Sequence, residues 1–146
     1  MISTPDILKA KILIVDDVSA NVRLLELILK DAGYSAVTST LDSREVLPLH
    51  RDNDYDLILL DLLMPVMDGF QVMEGLKEFE REGYLPVLVI TAIQEQKIRA
   101  LKLGAKDFIG KPIDKAELLI RVHNMLEIRL LYRELRAASE AAVVAI

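Results

Sequence analysis

The chain contains no cysteine and no tryptophan, and aromatic residues make up 5% of its 146 positions. Without cysteine there can be no disulfide, no thiolate metal site and no Cys nucleophile, and redox usage says nothing about compartment. Long hydrophobic runs are also lacking. Residues 1–10 include Pro5, Asp6 and Lys9 and resemble neither a signal peptide nor a membrane span. With 18 basic against 23 acidic residues the net charge is -5, and no dense basic stripe follows the sequence, so no direct nucleic-acid partner is expected. A protein of the cytoplasm, without membrane association, is the expectation these absences leave.

What is present is enough for a core. Hydrophobic residues are 52% and charged residues 28% of a length that suits one domain. Residues 11–15, Lys-Ile-Leu-Ile-Val, read as a first buried strand ending in Asp16 and Asp17. Val22, Leu25, Ile28 and Leu29 then recur at helical spacing over residues 19–30, with Gly33 as the stop. Residues 35–40 give a weaker second strand. Residues 42–50 give a helix that Pro48 should shorten or kink, because proline removes a backbone donor.

Residues 57–60 are continuously apolar, the pattern of a strand buried on both faces, and Asp61 follows at once. Met64-Pro65 and Asp68-Gly69 force a turn. A helix over 70–82 carries Val72, Met73, Leu76 and Phe79 on one face and closes at Gly83. A fourth strand over 85–90 ends at Thr91, and a fourth helix over 94–103 places Ile98 and Leu101 inward and stops at Gly104. A fifth strand over 106–109 leads to Gly110, Lys111 and Pro112, and Asp114 with Glu117 opens a last helix.

Five strands alternating with five helices predict an α/β fold, a doubly wound, flavodoxin-like parallel sheet of (βα)5 type with an extended C-terminal helix. Ligands of such sheets bind beyond the carboxyl ends of the strands. That rule gathers Asp16, Asp17, Asp61, Thr91 and Lys111 on one edge. Carboxylates clustered without His or Cys suit a hard cation such as Mg²⁺. Lys111 adds a point charge and Thr91 a hydroxyl donor, which completes a phosphoryl site, and an Asp can itself be the nucleophile. Taken singly, each residue has an ordinary explanation as a helix-dipole partner or boundary residue. Their joint placement does not.

Lys-Ile-Leu-Ile-Val-Asp-Asp, Leu-Asp-Leu-Leu-Met-Pro-Val-Met-Asp-Gly, Ile-Thr-Ala and Asp-Phe-Ile-Gly-Lys-Pro together resemble the receiver domain of two-component response regulators. The resemblance implies that Asp61 accepts a phosphoryl group from a sensor histidine kinase or phosphotransfer protein. It implies Mg²⁺ held by Asp17, Asp61 and the main-chain carbonyl of Leu63, with Asp16 acting through water. Thr91 would then hydrogen-bond the phosphoryl group and Lys111 pair with it. Thr91 and Phe108 would form the switch, with Phe108 turning inward on phosphorylation, and the Lys111–Pro112 peptide would be cis. Leu63 and Ile93 occupy the positions that tune hydrolysis in the family. Both are apolar and cannot orient water, so slow autodephosphorylation is expected.

The resemblance ends near Leu126, which divides the chain into an N-terminal extension (1–10), a receiver (11–126) and a helical extension (127–146). Ile128, Leu131, Leu135, Ala138, Ala142 and Ala145 alternate in steps of three and four, the period of a coiled-coil seam. A homodimer through this helix, or a stalk toward a partner, is the expectation; the plainer alternative is a frayed tail or linker. The segment is similar to linkers that precede cyclic-di-GMP enzymes, yet no motif of such an enzyme follows. The chain therefore signals by binding or is part of a longer protein. A phosphorylation-switched module with no external substrate turnover is the primary expectation. The alternatives are an Asp-nucleophile phosphohydrolase, which Leu63 disfavours because that position typically holds a second acid, and a silent dimerisation module.

Overall fold

The computed structural model describes residues 2–80 and 84–145. Strands β1 (Lys11–Val15), β2 (Ala36–Thr40), β3 (Leu57–Leu60), β4 (Val87–Thr91) and β5 (Asp107–Gly110) form one parallel sheet in the order β2-β1-β3-β4-β5. Helices α1 (Thr4–Leu8), α2 (Ser19–Asp31), α3 (Val46–Asn53), α4 (Gly69–Glu80), α5 (Lys97–Lys102) and α6 (Lys115–Ala145) cover it. The chain runs from β1 outward to β2 and then crosses to the other side of β1 as β3. That reversal opens a crevice beyond the carboxyl ends of β1 and β3.

Alternate residues of each strand feed two cores. Ile12, Ile14, Leu57, Leu59, Leu88, Ile90 and Ile109 meet α2 and α6, through Leu25, Leu29, Leu118, Val122 and Leu126. Leu13, Val15, Ile58, Leu60, Val89 and Phe108 meet the other layer, through Val46, Val72, Met73, Leu76 and Ala100. All four residues of β3 are buried, which is why its sequence shows an unbroken apolar run rather than alternation.

The inward face expected for the helix after β4 needs correction. Ile98 and Leu101 point outward, at 61% and 38% exposure, and Ala100 faces the sheet instead. A 3-10 turn over Gln94–Gln96 precedes α5, and its three-residue period shifts the phase from the 3.6 spacing assumed across the whole segment. The helix that holds Pro48 is short, eight residues, as expected, but proline is not what starts or ends it. A 3-10 turn over Ser43–Glu45 comes first, so Pro48 falls in the first turn of α3, where its missing N–H has no partner to lose. Gly83, expected to close the helix after β3, lies outside the described residues.

The N-terminal segment carries structure that its sequence concealed. Ser3 and Asp6 form a reciprocal capping box that starts α1, with Pro5 in its first turn, and Ile7 and Ala10 are buried in the α2/α6 core. The C-terminal helix continues without a break from Lys115 to Ala145, through the boundary expected at Leu126. Two arginines past that point tie it to the amino-terminal edge of the sheet. Arg129, buried, reaches Asp56 Oδ1 (3.3 Å), Asp54 Oδ1 (3.4 Å) and the carbonyls of Tyr55 and Tyr84. Arg133 reaches the same Asp56 oxygen at 2.6 Å, and Asp56 Oδ2 accepts the Lys11 N–H at 2.9 Å. Asp56 is 4% exposed, and these three donors are what make its burial tolerable.

His50 lies close by, buried, with Nδ1 accepting the Tyr55 N–H at 3.1 Å and its ring edge-on to Phe79. That bond requires a neutral ring. Burial, with help from the Arg129 and Lys11 charges and against Asp54 and Asp56, holds its pKa below the usual 6.5. The unfolded chain therefore binds the proton first as pH falls. The contribution of neutral His50 to stability is complete above about pH 6.5 and is lost as pH drops toward the depressed folded value. Urea unfolding between pH 7.5 and 5 should show stability falling, with one proton's worth less slope in His50→Asn. An unchanged slope would contradict this placement.

Candidate functional site

The sheet itself brings the acids together. The Asp16 N–H donates to the Thr40 carbonyl (3.3 Å) and the Asp61 N–H donates to the Val15 carbonyl (3.0 Å), so ladder pairing extends one residue past β1 and β3 and sets the two side chains on adjacent strand ends. One carboxylate oxygen from each of Asp16, Asp17 and Asp61 lies within 4.8 Å of the others. Asp16 and Asp61 are buried, and Asp17 is more open.

Lys111 enters from the end of β5, where its N–H donates to the Thr91 carbonyl at 3.0 Å and the Lys111–Pro112 peptide is cis. Its Nζ sits 3.2 Å from Asp16 Oδ2 and 3.6 Å from Asp61 Oδ2. In this state the lysine is held more closely by Asp16 than by Asp61. Asp16 also accepts the Val18 N–H on Oδ1 (2.9 Å) and the Asn21 Nδ2 amide on Oδ2 (3.2 Å). Among the described residues, Asp61 has only the Leu63 N–H, at 3.4 Å, beside the lysine charge. Burial pushes the Asp61 carboxyl above the usual carboxylate range, and the charges of Asp16 and Asp17 push the same way, against Lys111 and the Leu63 N–H. Of the two buried carboxylates, Asp61 is thus the less satisfied.

Thr91 is fully buried at the end of β4, next to β3, and its Oγ1 accepts the Ile93 N–H at 3.4 Å. Among the described residues, no acceptor takes its own hydroxyl proton. Leu63 shows its side chain to solvent, at 52% exposure, and Ile93 is half-buried. Phe108 is buried among the residues of the α3/α4/α5 core, with Lys97 Nζ 5.9 Å from the ring centre.

The loop after Asp61 is shaped by close approach and strain. A Cβ on Gly69 would lie 2.6 Å from the Asp61 carbonyl oxygen and 2.7 Å from Leu62 Cα, so only glycine lets α4 start against the strand end. Asp68 and Gln71 cap that start reciprocally, at 2.9 Å each way. Val66 adopts φ 68° although β-branched and 81% exposed, a conformation that costs about 1–2 kcal/mol relative to ordinary backbone. The structure therefore brings together Asp16, Asp17, Asp61 and Lys111 and puts Thr91 and Leu63 at the same edge. Asn21 was not anticipated. The only signal was a polar residue in the first turn of the helix that follows the acidic pair.

Three acids and a lysine at the switch point of a parallel doubly wound sheet have the chemistry of a site for a hard cation and a phosphoryl group. The family model for the response regulator receiver domain matches residues 12–123, and the chain belongs to that family. It is 42% identical over 131 residues to the response regulator PleD of Caulobacter vibrioides, covering 88% of this chain and 29% of PleD. It is 38% identical over 136 residues to the transcriptional regulatory protein PcoR of Escherichia coli, covering 92% of this chain and 55% of PcoR. The chain spans well under two thirds of the length of these relatives. Among solved structures it is similar to the chemotaxis protein CheY4 of Vibrio cholerae (TM-score 0.72, 30% identity, 80% of this chain, 98% of that one). It is similar also to the receiver domain of the sensor histidine kinase PA1611 of Pseudomonas aeruginosa, solved with magnesium in its active-site cleft (TM-score 0.72, 28% identity, 82% and 98%). Among the described residues, no helix is long and apolar enough to cross a membrane.

Proposed function

We propose that Asp61 is the phosphoacceptor of this receiver, taking a phosphoryl group from the phosphohistidine of a sensor histidine kinase or phosphotransfer protein. The observation that carries this is the pairing of a poorly satisfied, buried carboxylate with a lysine that already lies 3.6 Å away. In the transfer, an Asp61 carboxylate oxygen forms the new O–P bond while the N–P bond of the donor breaks and the donor nitrogen keeps the electron pair. Lys111 compensates the charge on the phosphoryl oxygens, and the Thr91 hydroxyl donates to one of them.

The donor set is all oxygen and fits Mg²⁺, which would be held by Asp17, Asp61 and the Leu63 carbonyl, with Asp16 behind water. When bound, the ion supplies positive charge that relieves the crowded carboxylates and neutralises the phosphoryl oxygens. Thr91 and Phe108 form the switch, and phosphorylation favours the inward position of Phe108, whose ring is buried here. Since phenylalanine has no hydroxyl, burial of the ring alone sets that balance. The module turns over no external substrate, and Leu63 leaves no second acid two residues past Asp61 to protonate a leaving group.

The extension of α6 supports a second function, pairing with its twin in a homodimer. Arg129 and Arg133 fix one side of the helix to the body, and Ile128, Leu131 and Leu135 are exposed on the side away from that clamp.

Incubation with acetyl phosphate and Mg²⁺ should give one base-labile phosphoryl adduct per chain, absent in Asp61→Asn, with a lifetime of many minutes or longer. Continuous phosphate release at enzymic rates, or labelling that survives Asp61→Asn, would overturn the assignment. For the dimer, Leu131→Asp with Leu135→Asp leaves the arginine clamp intact. Sedimentation should show that pair of changes lowering the mass from two chains to one, and identical masses would refute pairing through the seam.

A further inference from the structure

We infer that Asn21 is a positioning residue for phosphoryl acceptance, holding Asp16 so that Lys111 can leave it. This inference rests on the reading of Asp61 as phosphoacceptor. Asp16 Oδ2 has two donors in the structure, Lys111 Nζ and Asn21 Nδ2, each at 3.2 Å. Only the NH₂ end of the Asn21 amide can face a carboxylate, since the carbonyl end would repel it. Lys111 must do two jobs. Before transfer it compensates Asp16, and during transfer its charge is wanted on the phosphoryl oxygens. Asp16 is 2% exposed, so the oxygen that loses the lysine cannot turn to bulk water, and a buried charge left short of donors is costly.

Asn21 removes part of that cost. It stays on Oδ2 when the lysine moves, while the Val18 N–H stays on Oδ1 at 2.9 Å. Because the amide is neutral, it adds no charge that would compete for the phosphoryl group. Its place on α2 makes this possible. Asn21 is in the first turn of that helix, whose cap residue, Val18, supplies no side-chain cap, so the turn is free to direct its polar side chain back toward the end of β1. Without Asn21, Asp16 would bind Lys111 more tightly and transfer would begin from a lower ground state. The effect belongs to the transfer step and not to metal binding, and that separates it from a merely structural role.

The test is the rate of Asp61 labelling by acetyl phosphate as a function of Mg²⁺ in the full chain, for wild type, Asn21→Ala and Asn21→Ser, with melting temperature recorded for each. Asn21→Ala should lower the rate at saturating Mg²⁺ about tenfold, the loss expected for one hydrogen bond to a charged group. The half-saturating Mg²⁺ concentration should stay the same or fall, and Asn21→Ser should recover part of the rate. A saturated rate within twofold of wild type, or a loss abolished by more Mg²⁺, would overturn the inference. Failure of wild type itself to label would instead remove the phosphoacceptor reading on which it stands.

Discussion

The structure depends on one unfavourable interaction, the crowding of three carboxylates at the carboxyl end of β1 and β3. Two unit charges about 5 Å apart repel by about 3 kcal/mol at an effective dielectric constant near 20. Asp16, Asp17 and Asp61 have oxygens within that range of one another, and among the described residues Lys111 is the single cation placed among them. The imbalance is not shared equally. Asp16 is satisfied by Val18, Asn21 and Lys111, and Asp61 carries the remainder as a pKa raised by burial and by its acidic neighbours. The sign of that shift matters. A carboxyl whose folded pKa is raised supports folding below its ordinary pKa and loses that support as pH rises through the raised value, so ionised Asp61 works against the fold at neutral pH.

The rest of the fold serves to hold that tension in place. β3 is the central strand, buried on both faces, with Asp56 just before it and Asp61 just after. At one end Asp56 is clamped by Arg129, Arg133 and the Lys11 N–H; at the other Asp61 is left short of partners. The satisfied end anchors the long C-terminal helix, and the unsatisfied end lies in the acidic cluster. Gly69 lets α4 press against the Asp61 carbonyl, and strained Val66 sits in the same loop, so the segment beyond the acid is shaped by approach rather than by regular structure.

Much of this was legible in the sequence, for identifiable reasons. A continuous apolar run followed by an acid can be read without a structure, because burial on both faces abolishes alternation. The gathering of Asp16, Asp61, Thr91 and Lys111 at one edge follows from the rule for doubly wound sheets. What escaped reading depended on phase or on distant partners. Ile98 and Leu101 were misplaced because a 3-10 turn alters helical phase without any compositional mark. The clamp on Asp56 was invisible because Arg129 and Arg133 lie more than seventy residues away along the chain. Asn21 resembled any polar residue in a first helical turn, and only its 3.2 Å contact with Asp16 distinguishes it.

The central claim is that the carboxylate cluster is destabilising alone and built to receive a divalent cation. Thermal melting of wild type and Asp61→Asn across a Mg²⁺ titration at constant ionic strength tests it most directly. Removing one charge should raise the melting temperature of the metal-free protein, whereas Mg²⁺ should stabilise wild type progressively and the variant far less. A metal-free variant that melts below wild type, with neither protein responding to Mg²⁺, would contradict the account.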